Sequence, residues 1–195
     1  MDYLVSKVSV PDWSAVPAVE LTHTGWLPIS SVTARAQLCH DGKNLYVHME
    51  AVEPDIRAVL SDPLDQVCED SCLEFFLAPI TGDTRYFNFE FNPLGNFYMA
   101  FGRLRETRSR LLPADQEQFA IKPYYTENGW GITYQIPASF IQMFMPEFSL
   151  SGEASCNFYK CGEKTDTPHY LAWSELTCEK PDYHRVQDFG RLIFE

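Results

Sequence analysis

Glu69 to Gly102 reads EDSCLEFFLAPITGDTRYFNFEFNPLGNFYMAFG, and its period-two alternation decides the fold. Successive side chains of an extended chain point to opposite faces. Leu73, Phe75 and Leu77 therefore share one face of a strand, while Asp70, Cys72, Glu74 and Phe76 share the other. In the next run Phe87, Phe89 and Phe91 form an apolar stripe that alternates with Tyr86, Asn88, Glu90 and Asn92. Aromatic, amide and carboxylate groups hydrogen-bond hydroxyls or ligate hard cations, so this second face is the candidate site. Asn92-Pro93-Leu94-Gly95 reads as a turn, with Pro fixing φ and Gly free to take a left-handed conformation. A third strand, Asn96 to Phe101, follows with Phe97, Met99 and Phe101 inward.

The same alternation recurs on both sides of this segment. Val32, Ala34, Ala36 and Leu38 oppose Thr33, Arg35, Gln37 and Cys39, and an Asp41-Gly42 turn leads to Leu45, Val47 and Met49. Phe119 to Tyr125 and Trp130 to Ile136 flank Asn128-Gly129, a dipeptide whose tolerance of positive φ signals a hairpin. Pro137 to Phe144 predicts one or two helical turns, ended by Pro146. Ala154 to Lys160, His169 to Trp173 and Phe189 to Phe194 complete a set of short strands. Many short strands and hairpin turns with hardly any helix predict an all-β, antiparallel β-sandwich or open barrel.

With 195 residues, 45% of them hydrophobic, the chain can bury one sizeable core, and residues 1–195 read as a single domain. A net charge of −12 argues against nucleic acid or an anionic membrane as partner, because phosphates require clustered Lys and Arg. No apolar run approaches the roughly 20 residues that span a bilayer. MDYLVSKVSVPDW lacks the basic and apolar regions of a signal peptide, so the expectation is a cytoplasmic chain unless an export signal has been removed. Six cysteines, at 39, 68, 72, 156, 161 and 178, are expected to be reduced thiols. Cys68 with Cys72 and Cys156 with Cys161 are spaced more loosely than the C-x2-C of zinc sites.

Four features carry candidate chemistry. Glu74 and Glu90, on the polar faces of neighbouring strands, could be the paired carboxylates of a glycoside hydrolase or acceptors for ligand hydroxyls. Trp173, in HYLAWSEL, stands where an indole could stack on a sugar ring, against the alternative of a core tryptophan. Asp65, Glu69 and Asp70, with Asp62, form an acidic cluster that could hold calcium, although its spacing is not that of an EF-hand. His40, His169 and His184 are scattered and show no metal or haem spacing.

VCEDSCLEFF, YFNFEFNPLG, NFYKCGE, PHYLAWSEL and PDYHRVQDFGRLIFE, in this order from about Val67 to Glu195, together resemble the carbohydrate-binding module family 9-like domains. The resemblance implies an immunoglobulin-like β-sandwich, also called DOMON-like, that binds mono- or oligosaccharides without catalytic activity of its own. It further implies an association with glycoside hydrolases and polysaccharide degradation, sometimes with structural calcium. Carried onto this sequence, it makes Glu74 a hydroxyl acceptor, Trp173 one wall of the sugar slot, and Asn88 and Glu90 polar contacts on the adjacent strand; Lys160 joins them as a further hydrogen-bonding group. One position departs from the family pattern: Cys68 stands where an aromatic usually supplies the opposite wall. Either Phe76, Tyr86 or Tyr159 substitutes for it, or the ligand differs. The rival expectations are a glycosidase using Glu74 and Glu90, a sandwich that has become a protein-interaction module, and a haem-binding relative with an axial His or Met pair.

Overall fold

A computed structural model describes residues 1–29 and 31–195. In chain order its strands are β1 (Asp2–Lys7), β2 (Val19–Glu20), β3 (Thr33–His40), β4 (Asn44–Val52), β5 (Ser71–Ala78), β6 (Tyr86–Phe91) and β7 (Phe97–Gly102). They continue with β8 (Ser109–Leu111), β9 (Lys122–Thr126), β10 (Gly129–Pro137), β11 (Gly152–Gly162), β12 (His169–Ala172) and β13 (Gly190–Phe194). One short helix, α1 (Ala138–Gln142), follows β10, with Pro137 at its N-cap. The all-β expectation and the single short helix hold.

The strands run in the order β8-β7-β6-β5-β11-β13-β1-β3-β4-β10-β9, with β12 beside β11 and β2 beside β3. Two leaves meet at β1. Its first residues, Asp2 to Val5, pair with β13, and Ser6 and Lys7 pair with β3. Both pairings are parallel, whereas the other ladders among the described residues are antiparallel. The antiparallel sandwich thus gains its parallel pairs, among the described residues, at this one strand. Tyr3 and Val5 point into the core while Leu4 is exposed, so β1 carries the alternation of the other strands in too short a run to stand out.

The inward stripes of the two leaves form one core. Leu73, Phe75, Leu77, Phe87, Phe89 and Phe91 from one leaf meet Val47, Met49, Ile132 and Tyr134 from the other. The Phe91 and Tyr134 rings, 4.4 Å apart, join the leaves directly, and Phe75 stacks on Phe158 of β11 at 5.1 Å. Such aromatic pairs contribute about 0.5–1.5 kcal/mol beyond their area burial. Two turns behave differently. Gly95 takes φ +78° in the Pro93 turn, as expected. Gly129 does not have positive φ; it is required because a Cβ there would collide with the Ala51 carbonyl of β4.

Every residue of β5 and β6 is buried, on both faces. The inner face meets the opposite leaf. The outer face carries a second cluster, in which Cys72, Phe76, Tyr86, Tyr159 and Cys161 are covered by Tyr183 from the C-terminal segment. Tyr183 lies flat on Tyr159 at 3.9 Å and 8°, and the Tyr159 hydroxyl donates to the Tyr183 carbonyl at 3.0 Å. The face read from sequence as polar is thus roofed by loops, and it opens at one place.

Candidate functional site

That opening is a pocket whose lining includes Glu74, Glu90, Cys68, Trp26, Tyr170, Tyr183 and His184, with Arg105 and Arg108 at its side. Its floor is set by register: Glu74 of β5 and Glu90 of β6 are direct cross-strand partners, which places their side chains together on the outer face. Both are buried. Asn88 donates to Glu90 Oε1 at 2.7 Å, and the Cys161 thiol lies 2.9 Å from Glu74 Oε1.

Burial, and then the charge of Glu90, push the Glu74 carboxyl well above the ordinary carboxylate range. Burial also raises Glu90, to about 7, against the opposing pull of Arg108 and the Asn88 amide. Two carboxylates this close in a low dielectric do not both ionise readily, so the floor presents proton donors as well as acceptors at neutral pH. His184 is the reverse case: burial, then Arg108 and Arg105, hold it down at about 2. It is neutral, with Nδ1 2.8 Å from the Tyr86 hydroxyl.

The wall is Trp26, which lies in the loop between β2 and β3. His23 bridges that loop to Ala172 at the end of β12, and the Trp26 indole N–H donates to the Cys178 carbonyl at 2.8 Å. Gly25, at φ +57°, turns the chain just before it. The ring meets Tyr170 edge-on at 5.4 Å and Tyr183 at 5.9 Å, and it is partly buried, with part of its surface left open. A fixed, partly buried indole offers apolar area at little cost in side-chain entropy. Sequence alone gave Trp26 no role because it sits in a loop without periodicity; the only trace is a large aromatic between Gly25 and Pro28.

The expected site residues divide. Glu74 and Glu90 line the pocket. Asn88 lies beneath it, fully buried, and holds Glu90. Trp173 is corrected: it is 3% exposed and packs on Tyr3 and Phe158 in the inner core. Its backbone N–H bonds to Phe158 one residue past β12, and that alternation turns the indole inward. Lys160 is corrected for the same reason. It pairs with Leu73, whose side chain faces the inner core, and its ammonium donates to Glu53 at 3.1 Å and approaches His169 at 2.7 Å. Cys68 does line the pocket. The suggested replacements Phe76, Tyr86 and Tyr159 are packed in the layer below, and the aromatic rings that line the pocket are Trp26, Tyr170 and Tyr183.

The calcium reading does not fit its residues. Asp70 is fully buried and accepts from the Val59 and Leu60 amides and from Asn92, with Arg57 at 3.2 Å. Glu69 pairs with Lys164 at 2.8 Å, and Asp65 accepts the Asp62 amide. Calcium needs about six to eight converging oxygens, and these carboxylates are spent on separate partners. Among the described residues, no helix is long and apolar enough to cross a membrane.

The chain is similar to known proteins over its whole length. The family model described as carbohydrate-binding family 9 matches residues 3–194. A structure from Bacteroides uniformis ATCC 8492, of a candidate carbohydrate-binding protein, is similar with a TM-score of 0.82 at 31% identity, covering 100% of this chain and 99% of that one. A family 9 module from Caldicellulosiruptor kristjanssonii in complex with cellotriose has a TM-score of 0.69 at 13% identity, covering 99% and 93%. The same organism's module with glucose has 0.67 at 14%, covering 100% and 96%. No curated protein matches the chain. With the family's pattern spanning residues 3–194, the chain belongs to carbohydrate-binding family 9 and is a carbohydrate-binding domain.

Proposed function

We propose that the Glu74–Glu90 pocket holds one residue of a mono- or oligosaccharide. The observation that carries this reading is the meeting of two buried carboxyl groups with the partly buried ring of Trp26 around one cavity. Sugars present an apolar ring face and a rim of hydroxyls, each able to donate and accept. Trp26 suits the face, and a carboxylate beside a carboxylic acid suits the rim. Arg105 and Arg108 add donors at the side. Net gain per hydroxyl bond is only about 0.5–1.5 kcal/mol because water is displaced, so a moderate affinity follows. Glucose and cellotriose, the ligands of the Caldicellulosiruptor modules, are the first to test.

Glu74 and Glu90 stand side by side on one sheet face, and a glycosidase built on them needs the pair to flank a scissile bond; cleavage of the saccharide in the binding assay would move the reading to that rival. A role beside a glycoside hydrolase, supported by the family resemblance, belongs to the same reading. Titration calorimetry guided by a glycan array tests it: saturable binding weakened in Trp26→Ala and Glu90→Gln supports the pocket, and binding unchanged in both, or no saturable binding to any glycan, removes it.

A further inference from the structure

The cysteine spacings along the chain argue against a zinc site, but the sheet assembles a different pair. Cys72 of β5 and Cys161 of β11 are direct cross-strand partners, and Glu74, two residues beyond Cys72, rises from the same outer face. One ligand atom from each of Cys72, Glu74 and Cys161 lies within 4.8 Å of the other two. The three side chains are buried, yet Glu74 and Cys161 reach the pocket, which gives access from solvent. Glu90 stands beside Glu74 on the next strand. Two thiols and two carboxyl groups are thus gathered in one place, and among the described residues no Lys or Arg side chain is bonded to any of them.

We propose that Cys72, Cys161 and Glu74 form a site for a thiophilic divalent cation of the zinc class, bound at the floor of the pocket. Two sulfurs and one carboxylate oxygen match borderline-soft zinc and mismatch calcium or magnesium, which take oxygen ligands. Zinc bonds of about 2.3 Å to sulfur and about 2.0–2.2 Å to oxygen place tetrahedral donors some tenths of an ångström farther apart than the 2.9 Å from Cys161 Sγ to Glu74 Oε1. Side-chain rotation on two paired strands supplies that opening. Three protein ligands leave a fourth position directed at the cavity, for water, Glu90 or a ligand hydroxyl. As the metal–sulfur and metal–oxygen bonds form, each thiol proton and the proton of the Glu74 carboxyl pass to solvent, and no electrons are transferred. The dication also offsets the mutual repulsion of Glu74 and Glu90.

The proposal does not rest on the saccharide reading, and its test needs no sugar. Reduced full-length chain is titrated anaerobically with cobalt(II), whose thiolate charge-transfer and tetrahedral ligand-field bands report the ligand set. One equivalent is expected to saturate both bands, and zinc to bleach them. Cys72→Ser and Cys161→Ser are each expected to weaken binding by more than the roughly 10–100-fold lost with an outer hydrogen-bond partner of a metal site; Cys178→Ser is expected to bind as the wild type does. Absence of the charge-transfer band, or equal bands in wild type and Cys72→Ser, overturns the site. Should the variants fold poorly, alkylation of the wild type followed by mass spectrometry decides. Zinc is expected to protect Cys161 and leave Cys178 reactive, and an unchanged Cys161 rate overturns the site.

Discussion

Glu74 and Glu90 face one another across the β5–β6 ladder, buried on the outer side of the sandwich at the floor of its aromatic-walled pocket. The domain keeps this pair despite the cost of burying two carboxyl groups that cannot both ionise readily, a cost usually avoided unless the groups have a ligand to meet.

Replacing one acid by its amide is therefore expected to separate stability from binding. Glu90→Gln removes the repulsion, leaves the fold intact, and raises the unfolding midpoint at neutral pH, while weakening saccharide binding by about tenfold, the equivalent of about 1.4 kcal/mol. Paired thermal melts and calorimetry check this. A variant both less stable and fully competent to bind contradicts the assignment.

Trp26 is expected to take the binding role that the sequence suggests for Trp173. Trp173→Ala excavates the inner core beside Tyr3 and Phe158 and costs about 3–5 kcal/mol of stability. Gly190→Ala acts on the same contact, because its Cβ collides with the Trp173 ring, and costs about 1–3 kcal/mol. Denaturant unfolding measures both. Trp26→Ala costs less, about 0.5–1.5 kcal/mol for the lost indole bond to the Cys178 carbonyl.

The interior ion cluster predicts an acid response. Glu53 accepts from Lys160, Ser71 and the Trp130 indole, so Lys160→Met leaves it buried without its cation and destabilises by about 3–5 kcal/mol. Burial, and then the Lys160 ammonium, lower His169 from 6.5 to about 4. The folded state thus binds fewer protons than the unfolded one in that window. The stability contribution is complete above pH 6.5 and is lost as pH falls toward about 4. In unfolding titrations between these limits, His169→Gln is expected to show a flatter pH dependence than the wild type. A profile parallel to wild type contradicts a neutral buried His169.

The fold was readable because alternation survives burial. Leu73, Phe75, Phe87 and Phe89 point inward as their period requires, and Gly42 and Gly95 take the positive φ their turns demand. The floor of the pocket was readable for the same reason, through Glu74 and Glu90. Its wall was not. Trp26 reaches the site by a loop whose path is fixed by the His23–Ala172 bridge and the Cys178 carbonyl, contacts spanning most of the chain. Lys160 and Trp173 were misplaced because a strand's parity does not say which face is inner; only pairing with Leu73 and Phe158 settles it. Cys72 and Cys161 show the same limit, for their proximity is a property of the ladder and not of spacing.

The most direct test of the saccharide site is titration calorimetry of wild type and Trp26→Ala against the glycan an array selects. Loss of one aromatic wall, at about 1–3 kcal/mol by analogy with base stacking, predicts affinity roughly 10- to 100-fold weaker in a variant that stays folded at the assay temperature. Undiminished affinity in Trp26→Ala, with a saturable wild-type isotherm, would place the sugar elsewhere and contradict the account.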